Sequence, residues 1–290
     1  MGSAEATAFR GVAARANYLA SDRLDIQFAV KEVCRHMAKP RAASMARLKR
    51  LARYLLKHQR GVLHFRAQPE SDDTLVEVYT DSDWAGCRRT RKSTSGGVLL
   101  VGGGLLKSWS STQPTLAMSS GEAEFIAMVK AASEGLGLVA LMGDLGWPAR
   151  LKVWVDSSAA KSMASRVGLG RVRHMEVKLL WLQEAVRKKR LEVGKVRGDL
   201  NPADWLTKPH SLPKVKEAME RWGYEVERRS EEKEEEEEKR EKEGKVGRRP
   251  RWADVEDDDD EEEEKKEDIE RGPSRVATGP ARRSVGDAMQ

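Results

Sequence analysis

The chain has 290 residues, with 53 Lys+Arg against 47 Asp+Glu and a formal charge of +6. That balance is a cancellation: up to Glu225 there are 37 basic and 23 acidic side chains, a charge of +14, while the last 65 residues hold 16 and 24, a charge of −8. Cys34 and Cys87 are the only cysteines, which excludes a secreted disulfide framework, and no CxxC or HExxH spacing offers a zinc site.

Apolar residues recur at helical spacing from Ala13 to Leu63, with Ile26, Val30 and Val33 in one segment and Met45, Leu48, Leu51 and Leu55 in another, and Pro40 between them. The second helix also carries Arg47, Lys49, Arg50, Arg53, Lys57 and Arg60, a basic face suited either to solvent or to phosphate. Alternation then predicts a strand over Thr74–Thr80. Gly96–Val101 and Leu105–Trp109, joined by three glycines, predict a hairpin. Ser119 and Ser120 are placed to cap a long helix from Gly121 to Leu145, which Trp147-Pro148 ends. A strand at Leu151–Val155 leads into a helix through Ala164. Further on come a helix from Arg173 to Arg190, a strand at Leu191–Val196 and a short helix opened by Asn201-Pro202. The order β β β α β α α β α predicts an α/β fold, a mixed sheet covered by helices, with the Leu151 and Leu191 strands as parallel members.

The stretches Glu231–Lys245 and Asp254–Glu270 are almost entirely charged and have no apolar face to offset the entropy of ordering, so a disordered acidic tail is expected over 226–290. The start of the chain lacks the apolar core of a signal peptide, and no run approaches the roughly 18 apolar residues of a membrane span. The expectation is a soluble intracellular chain, in cytoplasm or nucleus, with no membrane partner.

Four acids sit at the ends of predicted elements: Asp81 after the first strand, Glu124 in the first turn of the long helix, Asp156 after the Leu151 strand and Asp204 at the start of the final short helix. Only folding can bring them together. Converging carboxylates repel one another unless a hard cation neutralises them, and an all-oxygen ligand set selects Mg²⁺ or Mn²⁺. Two such ions about 3.5 to 4 Å apart clamp the attacking water and the leaving oxygen of a phosphodiester. A body charge of +14 would draw in a polyanionic substrate. Periodicity does not choose between Asp81 and Asp83, nor between Glu122 and Glu124, of which only one can face a common centre.

The run YTDSDWAGCRRTRKSTSGGVLLVGGGLLKSWSSTQPTLAMSSGEAEFIAM, followed in order by VWVDSSAAKSMA, RVRHMEV and NPADWLTKP, resembles the ribonuclease H domain of copia-type retrotransposon Pol polyproteins over Thr74 to Pro209. The resemblance implies a ribonuclease H-like five-stranded mixed sheet flanked by helices. It also implies two Mg²⁺ ions held by Asp81, Glu124, Asp156 and Asp204, and cleavage of the RNA strand of an RNA–DNA hybrid. Residues 1–67 resemble the end of the reverse transcriptase region that precedes the nuclease in the same elements. This divides the chain into a helical segment at 1–67, a nuclease-like domain at 74–209, an extension at 210–225 and the tail; a fragment, a processed product of a parent polyprotein and a host protein are all open readings of the whole. No aspartate-pair polymerase motif occurs, so polymerase activity is not expected.

Many cellular ribonucleases H have a histidine in the loop ahead of the last aspartate; here that loop, VRGDLNPAD, holds Arg197 and Asp199. His174 is a candidate to approach substrate or metal. Arg88, Arg89, Arg91 and Lys92 are candidate phosphate contacts, and Ser93 and Thr94 offer hydroxyls to sugar or backbone. Arg187, Lys188, Lys189 and Arg190 form a second basic block at a helix end, and Trp84 and Trp109 are either core residues or stacking surfaces. The reading that competes with an enzyme is a nucleic-acid-binding remnant whose catalysis has lapsed, or a repurposed interaction module.

Overall fold

A computed structural model describes residues 1–65, 74–168, 170, 179–210 and 212–227, which lie within one compact unit. Three helices open the chain, α1 (Ser3–Leu19), α2 (Gln27–Cys34) and α3 (Ala42–Lys57), before the short strand β1 (Arg60–Leu63). Strands β2 (Thr74–Ser82), β3 (Thr94–Val101) and β4 (Gly104–Thr112) precede the long helix α4 (Ser120–Asp144). Then come β5 (Ala149–Val155), α5 (Ser158–Ser165), α6 (Trp181–Arg187), β6 (Glu192–Lys195), α7 (Leu212–Arg221) and β7 (Tyr224–Glu227).

Five of these strands form one mixed sheet in the order β4-β3-β2-β5-β6. The hairpin β2-β3-β4 is antiparallel, and β5 and β6 add in parallel beyond β2. β3 is buried along all but its last residue, as a strand covered on both faces must be, and its GGVLL run is correspondingly apolar. One face carries Val76, Val78, Leu99, Val153 and Val155 against Phe125, Met128, Ala131 and Ala132 of α4, with α5 and α6 completing the layer. Burying a side chain such as Phe125, which has no exposed surface, stabilises the fold by about 3 kcal/mol. An 18-residue window of α4 has a mean hydropathy of 1.6, long and apolar enough to cross a membrane by length and composition alone. Its apolar residues are spent on the sheet instead.

The opposite face receives Leu24, Trp205, Leu206, Met219 and Tyr224 over Val98, Leu100 and Leu105. Beside it α1, α2 and α3 enclose their own core of Phe9, Ala13, Ile26, Val30, Val33, Leu48 and Leu51. α2 is tied to the sheet by reciprocal hydrogen bonds between the Gln27 amide and Ser108, and by Lys31 Nζ donating to Thr94 Oγ1 at 2.9 Å.

Periodicity missed α1, α7 and the β1–β7 pair. α1 buries mainly alanines, which give a weak apolar stripe. β1 and β7 are four-residue strands from opposite ends of the described chain. The expected disordered tail falls outside the described residues from 228 onward, but its first two residues do not: Val226 and Glu227 pair with Gly61 and Arg60, so the ordered body extends past the expected boundary at 225. Of the expected helix from Arg173 to Arg190, Trp181–Arg187 is helical, and 173–178 lie outside the described residues. The short helix expected after Asn201 is a pair of 3-10 turns, Gly198–Leu200 and Asp204–Leu206.

A buried ionic hub holds these layers together. Asp25 accepts two hydrogen bonds from the Arg23 guanidinium, at 2.9 and 2.7 Å, one from Tyr54 Oη at 2.8 Å and one from Tyr224 Oη at 2.9 Å. Arg23 also donates to the carbonyls of His58 and Gln59. Tyr224 gets there because residue 61 is glycine: a Cβ on Gly61 would lie 2.0 Å from the Tyr224 hydroxyl. Burial opposes ionisation of Asp25, but Arg23 and the two tyrosine hydroxyls outweigh it and hold the carboxyl below its usual range. Asp25→Ala, which strands a buried guanidinium, is expected to destabilise the full chain by about 3–5 kcal/mol. Tyr224→Phe, which removes one hydrogen bond, is expected to cost about 0.5–1.5 kcal/mol. Urea unfolding followed by tryptophan fluorescence measures both, and equal losses in the two variants would contradict the hub.

Candidate active site

β2 and β5 are parallel neighbours in a register that sets Tyr79 level with Trp154. Two residues further on, at the same edge of the sheet, Asp81 and Asp156 therefore emerge side by side. Ser119 caps α4 by accepting from Glu122 N at 3.2 Å, and Glu122 Oε2 accepts from Met118 N at 2.8 Å. This reciprocal cap commits Glu122 to the helix terminus and aims Glu124, two residues on, at the strand ends. Glu124 Oε1 accepts from Ser82 N at 3.2 Å, and Glu124 Oε2 is buried with no hydrogen-bond partner among the described residues. Asp81, Glu124 and Asp156 each place a carboxylate oxygen within 4.8 Å of the others.

The electrostatic consequence is large. Burial, then repulsion from Asp81 and Asp156, pushes Glu124 up to about 9. Burial also pushes Asp81 up to about 7, with Asp156 and Asp204 adding repulsion against the hydrogen bond from Thr207 Oγ1 at 2.7 Å. Asp156, half-buried, is raised by burial and by Asp204. Three acids that resist ionisation together, with one oxygen left unpartnered and only oxygen donors on offer, fit a hard divalent cation such as Mg²⁺ or Mn²⁺. Asp81, Glu124 and Asp156 are the residues that would hold it.

The fourth expected acid flanks this group. Asp204 is near enough to raise Asp81 and Asp156, but its carboxylate is taken up by Lys208, by His210 Nε2 at 3.1 Å and by Lys214 Nζ at 3.5 Å. Its segment is clamped against the sheet by Asn201, whose Nδ2 donates to the Thr80 carbonyl at 3.0 Å. The clamp needs Gly96 on β3, because a Cβ there would come within 2.8 Å of the Ala203 carbonyl. Asn201, Thr207, Lys208 and His210 thus belong to the site although the acids alone did not mark them. All but His210 lie inside the NPADWLTKP run.

The remaining candidates separate by location. Asp83 is consumed by the loop after β2, accepting from Thr94 N and returning a backbone hydrogen bond to the Thr94 carbonyl at 3.2 Å. Ser93 and Thr94, offered from sequence as sugar contacts, face inward: Ser93 Oγ accepts from Ala85 N and Thr94 Oγ1 from Lys31. Arg88, Arg89 and Arg91 are exposed on the same loop, and Lys92 Nζ donates to the Pro114 carbonyl at 2.6 Å. Arg187, Lys188, Lys189 and Arg190 are exposed just before β6. Since β6 runs parallel to β5, that block enters at the sheet end opposite the carboxylates, roughly 16 Å down the strand direction. Arg197 and Asp199 pair with each other at 2.7 Å. His174 lies outside the described residues. Trp109 is buried in the main core, whereas Trp84 is 57% exposed.

No family model matches the chain. It is 32% identical over 188 residues, 64% of its length, to the retrovirus-related Pol polyprotein from transposon TNT 1-94 of Nicotiana tabacum. It is 31% identical over 212 residues, 71% of its length, to that from transposon RE1 of Arabidopsis thaliana. It spans only 14% of either relative. Among solved structures, the N-terminal ribonuclease H domain of a Mycobacterium tuberculosis protein aligns with 51% of this chain and 97% of its own, at 17% identity and a TM-score of 0.33. The chain is thus similar in sequence to a segment of the retrovirus-related Pol polyproteins of transposons, and its mixed five-stranded sheet flanked by helices, with three carboxylates at one edge, is a ribonuclease H-like fold.

Proposed function

We propose that this chain is an endonuclease that hydrolyses the RNA strand of RNA–DNA hybrids with two Mg²⁺ ions, and that it derives from a copia-type Pol polyprotein. The observation that carries the reading is the convergence of Asp81, Glu124 and Asp156 within 4.8 Å, with a buried, unpartnered Glu124 oxygen. Bound Mg²⁺ supplies Lewis-acid activation of water and of the phosphoryl group. The chain's own residues do the rest. Thr207 and the backbone of Ser82 hold Asp81 and Glu124 in fixed rotamers. Lys208 puts positive charge beside Asp204, and the His210 ring lies against the same carboxylate, at the rim where a scissile phosphate would enter. Arg88, Arg89 and Arg91 extend that charge along the loop after β2, fitting a duplex recognised by its backbone shape.

With Mg²⁺ the full chain is expected to cut the RNA of a hybrid. Asp81→Asn and Glu124→Gln should each lower kcat by about three orders of magnitude, the several kcal/mol that a metal site supplies. A folded chain that binds hybrid in a salt-dependent way but cuts under neither Mg²⁺ nor Mn²⁺ would favour the lapsed binding module instead.

The raised carboxylates also set a pH dependence. Asp81, to about 7, and Glu124, to about 9, lie above their ordinary values. The stability they contribute is therefore fully present below the unfolded values near 4 and is lost as pH rises through the folded ones. The Tm of metal-free protein should fall between pH 6 and pH 9, Glu124→Gln should flatten that fall, and Mg²⁺ should raise Tm at pH 8 in wild type but not in the variant. A pH-independent Tm would contradict the electrostatic account of the site.

A further inference from the structure

Three large apolar side chains stand exposed beside the carboxylates: Trp84 at 57%, Leu116 at 54% and Met118 at 70%. They come from two different loops, one after β2 and one before α4, yet form a single ridge. Trp84 Nε1 donates to the carbonyl of Ala117 at 3.2 Å, which ties the indole edge to the backbone between Leu116 and Met118. With its only polar atom engaged, the indole offers solvent a ring face and no donor.

The loop is built to keep it there. Ala85, the next residue, has a φ of 55°, a left-handed conformation in a residue with a Cβ, which costs about 1–2 kcal/mol. Ala85 N is held by Ser93 Oγ at 2.9 Å, and Asp83 is paired with the Thr94 backbone through both its own N–H and its carboxylate. The strained turn at Ala85 is thus part of the loop geometry in which Trp84 stands exposed. The ridge also shares its supports with the carboxylates. Trp84 lies three residues beyond Asp81, about 10 Å of extended chain, and Met118 N is bonded to Glu122 in the cap that aims Glu124. Arg88, Arg89 and Arg91 are exposed on the same loop, and Lys92 is drawn by the Pro114 carbonyl toward the segment that carries Leu116.

An apolar face bounded by cations on one side and a metal-binding carboxylate group on the other matches the alternation of sugar and phosphate along a nucleic-acid strand. We propose that Trp84, flanked by Leu116 and Met118, is a substrate-positioning platform: the apolar sugar–base face of the nucleic acid lies on the indole while neighbouring phosphates meet the Arg88–Lys92 loop, setting which phosphodiester reaches Asp81 and Glu124. The proposal rests on the nuclease reading for its substrate, but its test does not require turnover.

The experiment measures binding of a fluorescently labelled RNA–DNA hybrid to the full chain by anisotropy, with Ca²⁺ in place of Mg²⁺, across a salt series. Trp84→Ala should weaken binding about 10-fold or more, the range of aromatic contacts to nucleic acid, with an unchanged dependence of log K on log salt. Trp84→Phe, which keeps a ring but loses the bond to Ala117, should recover most of the affinity. Arg89→Ala should reduce the salt slope. Because Trp84 is exposed, Trp84→Ala should keep the wild-type Tm, and Met118→Gln provides a second probe that leaves the indole in place and should weaken binding in the same sense. Wild-type affinity in both Trp84→Ala and Met118→Gln overturns the platform even if the chain cuts hybrid. Hybrid binding that depends on Trp84 in a chain that never cuts supports the platform and removes the nuclease reading. A change of oligomeric state in Trp84→Ala with affinity intact makes the ridge a self-association surface and overturns the proposal.

Discussion

Mutual repulsion among three carboxylates, two buried and one half-buried, is the constraint around which the body of this protein is arranged. Asp81, Glu124 and Asp156 are brought within 4.8 Å at one edge of a sheet, and burial combined with like charge makes each reluctant to ionise. A surface loop would relieve that repulsion by moving apart. Here each acid grows from a regular element whose packing prevents it: the C-terminal ends of two hydrogen-bonded parallel strands and, just beyond its first turn, the helix capped by Ser119 and packed along the same sheet.

The stability that resists this repulsion comes from elsewhere in the molecule. The apolar layer between α4 and the sheet and the Asp25 hub on the far side are independent of the carboxylates and of opposite electrostatic character. At the hub a buried acid meets a guanidinium and two hydroxyls and is held ionised; at the sheet edge three acids face one another, and the donors bonded to them, such as Thr207 and the Ser82 backbone, are neutral. The same chemical group is thus held ionised in one place and made hard to ionise in the other by what surrounds it.

The segment from Asn201 to His210 connects these two regimes. Its apolar side, Trp205 and Leu206, joins the core on the far face, and its polar side brings Thr207 to Asp81 and arranges Lys208 and His210 around Asp204. Gly96 makes room for it, so a position that reads as a strand glycine of no account in fact sets the distance between β3 and the site. Ahead of Asp204, Arg197 and Asp199 pair with each other, and His210 approaches Asp204 from the C-terminal side of the chain.

Local pattern was enough for much of this. The alternation of Thr74–Thr80, the glycine hairpin, the Ser119 cap and the four acids at element ends are all carried by neighbouring residues, and short-range periodicity and capping chemistry are properties of a few consecutive side chains. What no local pattern holds is which acid of each near pair faces the centre. That choice was made by the parallel register of β2 on β5 and by the commitment of Glu122 to the helix cap and of Asp83 to Thr94. The partial withdrawal of Asp204 into basic partners, the outward set of Trp84 and the closure of β1 on β7 were likewise decided only by tertiary structure. Each depends on contacts between segments far apart in the chain, whose geometry exists only once the sheet has formed.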